Sequence, residues 1–391
     1  MTIDNVYVTT RPNWGDVPMF FGYYWLSKVN EYAGIRGYEV VDLKGELALP
    51  DTFHSTLAER NPSFFHGVGH GNETLFSGQR ITILMKACVN DEIMAERICY
   101  LMSCLTAIEL GPSIISKGGR AYVGYNISFT WMDMHPPPGM PFDVSYLHYH
   151  WGWMDYSNAL TNAILAGKTV SEAAVIAIEK VNAWIDFWSQ SDDFNASSAI
   201  YWLVLDRDAL TLLGDVNASI VPPSPETTHV RKAFRSGVHS RTVAPGDDLT
   251  FDIVCTCGVG TCDFRGRKLR LIDDYGVEQY NGVIENYLNG INWTRIVLPG
   301  VAPTPGVHDW TIIVEGDGLH PETTGHFWIR SVLKHNITVD SEPIKKIEFI
   351  IGPIEGYWKR HVTPWSDYVY EQEYRMEIPE RLTVDGVVYI F

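Results

Sequence analysis

The sequence predicts an α/β fold with a mainly parallel sheet, followed by an all-β antiparallel sandwich. Three observations carry this. Short apolar runs alternate with helix-length segments from Asn5 to Leu205. A proline-rich polar break, Val221-Pro222-Pro223-Ser224-Pro225-Glu226, reads as a linker. Beyond it helical periodicity gives way to short β-type runs set between turns.

Asn5 to Thr10 reads as a strand and Met19 to Tyr32 as a helix, with Phe20, Tyr23, Tyr24 and Leu26 among its bulky positions. Tyr38 to Leu43 is the next strand, Thr52 to Arg60 a short helix, and Ser63 to Val68 a strand ending in Gly69-His70-Gly71. Ile98 to Ser103 is nearly all apolar, as a parallel strand buried on both faces must be. Thr106 to Lys117 reads as a helix and Arg120 to Tyr125 as a strand. Two strong helices follow, Tyr156 to Ala166 and Val170 to Ser189, and Ile200 to Leu205 reads as a last strand. Sites in such sheets form beyond the carboxyl ends of the strands, and His70 and Cys104 each stand just past one.

These boundaries predict two domains, residues 1–221 and 222–391. The β-type runs of the second are Leu249 to Val254, Leu269 to Ile272, Trp310 to Val314, Gly325 to Arg330 and Lys346 to Ile351. A tail from about residue 355 ends in a hairpin over Leu382 to Phe391, and its packing is open.

A net charge of −17 repels phosphate backbones, which argues against nucleic acid as a general partner. No run is long and apolar enough to span a bilayer, and the first residues lack the basic start and apolar run of a signal peptide. Six scattered cysteines do not form a disulfide framework, so secreted and cytoplasmic locations both stay open.

A thiol nucleophile needs a base or cation beside it and donors for the oxyanion that its attack creates. Phe64-Phe65-His66-Gly67-Val68-Gly69-His70-Gly71 offers a histidine flanked by glycines after an apolar strand, where backbone can approach a substrate closely. Ile98-Cys99-Tyr100-Leu101-Met102-Ser103-Cys104 offers a cysteine at the end of the next buried strand. Cys99 lies within that strand, and Cys88 has no strand end to place it by His70. Cys104 is therefore the candidate nucleophile, with a helix expected to begin beside it and favour its thiolate.

His-Gly after one strand and an apolar strand ending in Cys after the next resembles the caspase/gingipain/clostripain clan of cysteine peptidases. Gly118-Gly119-Arg120-Ala121-Tyr122-Val123-Gly124-Tyr125 and Leu212-Leu213-Gly214-Asp215 resemble segments of its gingipain-like members. Leu105-Thr106-Ala107 departs from the pattern, since those members place a small residue soon after the nucleophile. The likeness covers roughly the first 220 residues. It implies a caspase-like sheet, an immunoglobulin-like sandwich after it, and a cysteine endopeptidase acting on protein or peptide substrates. By analogy His70 and Cys104 are the catalytic dyad, and the N–H groups of Gly71 and Cys104 form the oxyanion hole. No cofactor is required, although some relatives use structural calcium. The long aromatic segment Asn126 to Asp143 would border the substrate pocket, bringing in Tyr125, Asn126, Trp131, Asp133 and Asp143. The two aspartates would favour Arg or Lys before the scissile bond.

Two rivals stand beside this reading. One is a non-catalytic interaction module on the same fold. The other is a metal-dependent hydrolase using His66, His70, His148 or His150, but no third ligand at metal spacing accompanies His148 and His150. Cys255, Cys257 and Cys262 offer a disulfide, a metal site or plain thiols; with no fourth ligand visible, the metal is the least expected.

Overall fold

The computed structural model describes residues 2–15, 17–132, 150–191, 195–223, 231–236, 242–258, 261–332, 334–339, 348–353, 359–362, 365–370, 374–377, 381–384 and 387–390. The chain forms two compact units. The larger comprises Met1–His239, Thr250–Ile296 and Asp309–Phe327, and the smaller Ser240–Leu249, Val297–His308 and Trp328–Phe391.

The larger unit is built on a six-stranded sheet. Its strands are β1 (Ile3–Arg11), β2 (Glu39–Lys44), β3 (Pro62–Val68), β6 (Ile98–Met102), β7 (Ala121–Tyr125) and β8 (Leu210–Gly214). A small hairpin, β4 (Leu75–Ser77) and β5 (Ile83–Lys86), stands between β3 and β6 in the chain. The order is β2-β1-β3-β6-β7-β8; all neighbours run parallel except β8, which is antiparallel to β7. The helices are α1 (Val17–Ile35), α2 (Pro50–Arg60), α3 (Leu110–Ser116), α4 (Trp151–Leu165), α5 (Val170–Ser189) and α6 (Ala196–Ala209). None of them is long and apolar enough to cross a membrane.

Successive strand side chains face opposite sides, and the sheet sorts its residues accordingly. Tyr7, Phe64, Tyr100, Val123 and Tyr125 enter the core shared with α1, α4 and α5. Val8, Phe65, Cys99, Leu101 and Tyr122 enter the opposite core with Phe53, Leu57, Leu110 and Ile114. Every residue of α4 is buried, so it is enclosed on all sides rather than amphipathic.

Two expectations are corrected here. Ile200 to Leu205 is not a strand but the middle of α6, which buries Ala196, Ala199, Leu203, Asp206 and Ala209 at helical spacing; the last strand is Leu210–Gly214. The helix after Cys104 starts at Leu110, because residues 105–109 are turn and Leu105 has φ of 61°.

The antiparallel strands that lie wholly or mostly in the larger unit are β9 (Arg231–Ser236), β11 (Leu249–Cys257), β12 (Lys268–Ile272), β13 (Glu278–Val283), β14 (Asn286–Leu288), β15 (Ile291–Leu298), β16 (Gly306–Val314) and β17 (Thr323–Ser331). One sheet has the order β14-β15-β11-β9, and β12 in the other is flanked by β13 and β16. This part packs directly on the helices: Val254 and Ile291 belong to the same core as α4 and α5. The Trp293 ring meets Phe187 edge-on at 5.8 Å, and Asn162 donates to the Gly258 carbonyl at 2.8 Å.

In the smaller unit β10 (Thr242–Val243) runs parallel to Arg330–Ser331. Lys334–Val339 pairs antiparallel with Trp365–Tyr370, and Glu348–Pro353 lies between Lys359–Val362 and Tyr374–Glu377. The expected terminal hairpin is present, pairing Arg381–Val384 with Val387–Ile390.

Candidate active site

β3 and β6 are adjacent and parallel, with Val68 opposite Met102, so the chain leaves both strands at one edge of the sheet. His70 and Cys104 follow at the carboxyl ends, and both line one pocket of about 260 Å³. Its remaining wall is largely apolar, from Pro18, Met19, Val68, Met102, Phe129 and Trp131.

Local geometry fixes each side chain. Ser77 donates to the His70 carbonyl through its backbone N–H at 2.9 Å and its hydroxyl at 3.0 Å, so β4 holds the histidine backbone. Gly69 is a steric necessity, since a Cβ there would meet the Ser77 carbonyl and the Phe76 ring. A Cβ on Gly71 would run into Ser103 Oγ and lie 2.7 Å from Thr106 Cγ2 and 3.0 Å from the Cys104 carbonyl. The His-Gly loop and the Ser-Cys loop are therefore in direct contact. Two more bonds tie them: the Glu73 carbonyl accepts from Glu109 N–H at 3.2 Å and Leu110 N–H at 2.8 Å. On the far side of the thiol, Leu105 N–H donates to Ile127 O at 2.9 Å, and Cys104 Sγ lies 3.9 Å from Phe129 O.

Burial pushes the Cys104 thiol up from its ordinary range, the Phe129 carbonyl contact opposes this, and the Asp206 carboxyl adds to it. The helix expected to favour the thiolate begins six residues later, at Leu110, and is remote from the sulfur in sequence. The Cys104 sulfur is accordingly favoured in its thiol form, and a thiolate there would need a base at hand.

The other expected residues divide. Trp131 lines the pocket and packs on Phe129, ring centroids 5.5 Å apart. Tyr125 is wholly buried below it, its hydroxyl 3.0 Å from that of Tyr100 and accepting from Tyr156 at 2.9 Å. Asn126 is exposed and outside the pocket lining, its N–H donating to Ala209 O. Asp133 and Asp143 lie outside the described residues, as does His148. His66 is buried, stacks on Tyr100 at 4.4 Å and contacts the Thr161 hydroxyl at 3.0 Å; burial lowers its pKa to about 3. His150 packs against the rings of Phe21 and Trp25. Neither reaches the pocket.

Asp206 was not anticipated. It is fully buried on α6, and its carboxyl accepts from Thr130 N–H at 3.3 Å and so braces the pocket-lining segment 129–131. Burial raises its pKa to about 8, against a smaller opposing effect of the Thr130 hydrogen bond. In Val204-Leu205-Asp206-Arg207-Asp208 no pattern separates this aspartate from its charged neighbours on a surface helix.

No family model and no curated protein matches the chain. Among solved structures it is similar to the Arg-specific cysteine proteinase gingipain R, at 11% identity over 84% of this chain and 67% of that chain, TM-score 0.38. The complex of the Porphyromonas gingivalis RgpB pro- and mature domains gives 11% identity over 83% and 68%, TM-score 0.36. A structure described only as a protease gives 13% identity over 83% and 67%, TM-score 0.34. These TM-scores all lie below 0.5.

Proposed function

We propose that the chain is a cysteine endopeptidase in which Cys104 attacks a peptide carbonyl. The observation that supports this reading is the placement of His70 and Cys104 on one pocket, past the ends of adjacent parallel strands. His70 takes the thiol proton as the sulfur attacks and returns it to the leaving amine; water then hydrolyses the thioester. The N–H groups of Gly71 and Cys104 serve as oxyanion donors. The all-β region is read as an immunoglobulin-like sandwich. No cofactor takes part in this chemistry. The cationic preference at the residue before the scissile bond depends on Asp133 and Asp143, since no acidic side chain among the described residues lines the pocket.

A thiol-directed peptide inhibitor should label Cys104, and Cys104→Ala should abolish peptide hydrolysis without unfolding the chain. His70→Ala should cost at least about a hundredfold in rate. Cys88→Ala and Cys99→Ala should keep most activity, apart from packing loss at the buried Cys99. An active Cys104→Ala variant, or label found by mass spectrometry mainly on Cys88 or Cys99, would refute the assignment. The raised Cys104 pKa favours one second reading, a binding module with an inert thiol. That reading predicts peptide binding in the pocket and no turnover at any pH.

A further inference from the structure

The end of β11, the segment after it and a turn before β17 bring together Cys257 Sγ, Cys262 Sγ and a ring nitrogen of His320, all within 4.8 Å of one another. Cys257 and His320 are buried and Cys262 is half-buried. Cys257 Sγ is 3.6 Å from His320 Nε2. Zinc–sulfur and zinc–nitrogen bonds of about 2.3 and 2.05 Å at a tetrahedral angle place sulfur and nitrogen about 3.6 Å apart. We propose that Cys257, Cys262 and His320 form a zinc site that stabilises the β-rich part of the larger unit.

The surroundings are those of a built site. His320 Nδ1 lies 2.9 Å from Asp317 Oδ1, so the ring donates there and turns the lone pair of Nε2 toward Cys257. Asp317 is itself held, accepting from Leu319 and His320 N–H at 2.8 Å each. The Phe264 ring meets the imidazole edge-on at 4.8 Å. The buried Asn292 side chain fixes the loop that carries Cys262: it donates to Cys262 O at 3.0 Å and accepts from Phe264 N–H at 2.7 Å.

Two thiolates and an imidazole are a soft donor set suited to zinc. Binding converts two thiols to thiolates and releases two protons, and the two sulfur charges then cancel that of the ion. A water completes the tetrahedron. The sequence concealed this set because His320 lies in a turn far along the chain from the two cysteines and not at a recognisable metal spacing. The inference does not depend on the peptidase reading.

The test is metal content of the full chain purified from zinc-supplemented medium without chelator, read by elemental mass spectrometry. The expected result is about one zinc per chain. Cys262→Ser and His320→Ala should fall below about a tenth of that, while Cys255→Ser and Cys88→Ser keep it. Because His320→Ala could fail to fold, cobalt titration of the metal-stripped wild type serves as the second measurement. Tetrahedral, thiolate-bound cobalt should appear in its visible spectrum and be absent in Cys262→Ser. Asp317→Asn should weaken zinc about tenfold to a hundredfold. Less than about a tenth of an equivalent in the wild type, a disulfide between Cys257 and Cys262, or full zinc in Cys262→Ser would overturn the site.

Discussion

At the scale of single residues, the placement of His70 and Cys104 on one pocket was legible because both sit in a telling backbone context. A histidine between glycines and a cysteine at the end of an apolar run mark strand ends, and parallel strands deliver their ends to one edge. Much of what surrounds the two residues was not legible. Tyr125 ends a strand on the inward side, and Asp206 is brought to the pocket only by packing. The tight contact at Gly71 gives a direct expectation: Gly71→Ala pushes a methyl group into Ser103 and Thr106, displacing one loop from the other. Overpacking of this kind costs about 1–3 kcal/mol. Hydrolysis should fall at least about tenfold, a loss larger than a change in thermal midpoint explains; a variant of full activity would show that the loops tolerate separation. Asp206 and His66 set a pH dependence of stability. Asp206 keeps its proton to about pH 8 when folded, whereas an unfolded aspartate loses it near pH 4. Stability therefore falls as pH rises across that window. His66 stays neutral down to about pH 3 in the fold, while the unfolded ring takes a proton below about pH 6.5, so stability also falls as pH drops from there. Denaturant midpoints measured across pH should show a flatter upper limb in Asp206→Asn and a flatter acid limb in His66→Gln. Parallel curves for wild type and both variants would show that these groups do not titrate as the burial implies.

Among the elements, strands β1, β3, β6 and β7 and helices α1 and α5 match their sequence reading to within a few residues, because their apolar patterns are long or bounded by turn residues. α6 was misread for a physical reason. Ile200-Tyr201-Trp202-Leu203-Val204-Leu205 has the β-branched and aromatic content of a strand, yet only Leu203 of these is fully buried. The helical spacing of its buried residues emerges only over the whole of Ala196–Ala209. α5 shows the opposite case, where a local device announces the element. Thr169 accepts from Glu172 N–H at 3.2 Å while the Glu172 carboxylate accepts from Thr169 N–H at 2.9 Å, a complete capping box. Thr169→Ala should cost about 1 kcal/mol in chemical denaturation and leave peptide hydrolysis intact, since the cap is not part of the pocket lining. A loss of activity without a loss of stability would mean that α5 reports to the site.

For the whole molecule, the proline-rich break predicted two separable pieces, and the packing bears on what separation would mean. α4 and α5 bury their outer faces against the β-rich strands. Val254 and Ile291 complete the helical core, and Asn162 is satisfied by the Gly258 carbonyl. The Lys180 ammonium, buried between Asp155 at 3.7 Å and the Cys257 carbonyl at 3.4 Å, spans the same boundary. Without the β-rich strands, Lys180 would lose the Cys257 carbonyl and the apolar faces of α4 and α5 would meet water, at about 25 cal/mol per Å² of apolar surface exposed. We therefore predict that protease nicking in the sequence-defined linker, residues 221–226, leaves the two products associated through gel filtration. A fragment of residues 1–221 made alone should have a lower thermal midpoint than the full chain and should bind a hydrophobic dye. The full chain carrying Asn162→Ala should move a smaller distance in the same direction, since it removes one bond across the boundary and leaves the apolar contact. A fragment of residues 1–221 with the midpoint of the full chain would show that the helices close their own core and that the β-rich strands add nothing to it.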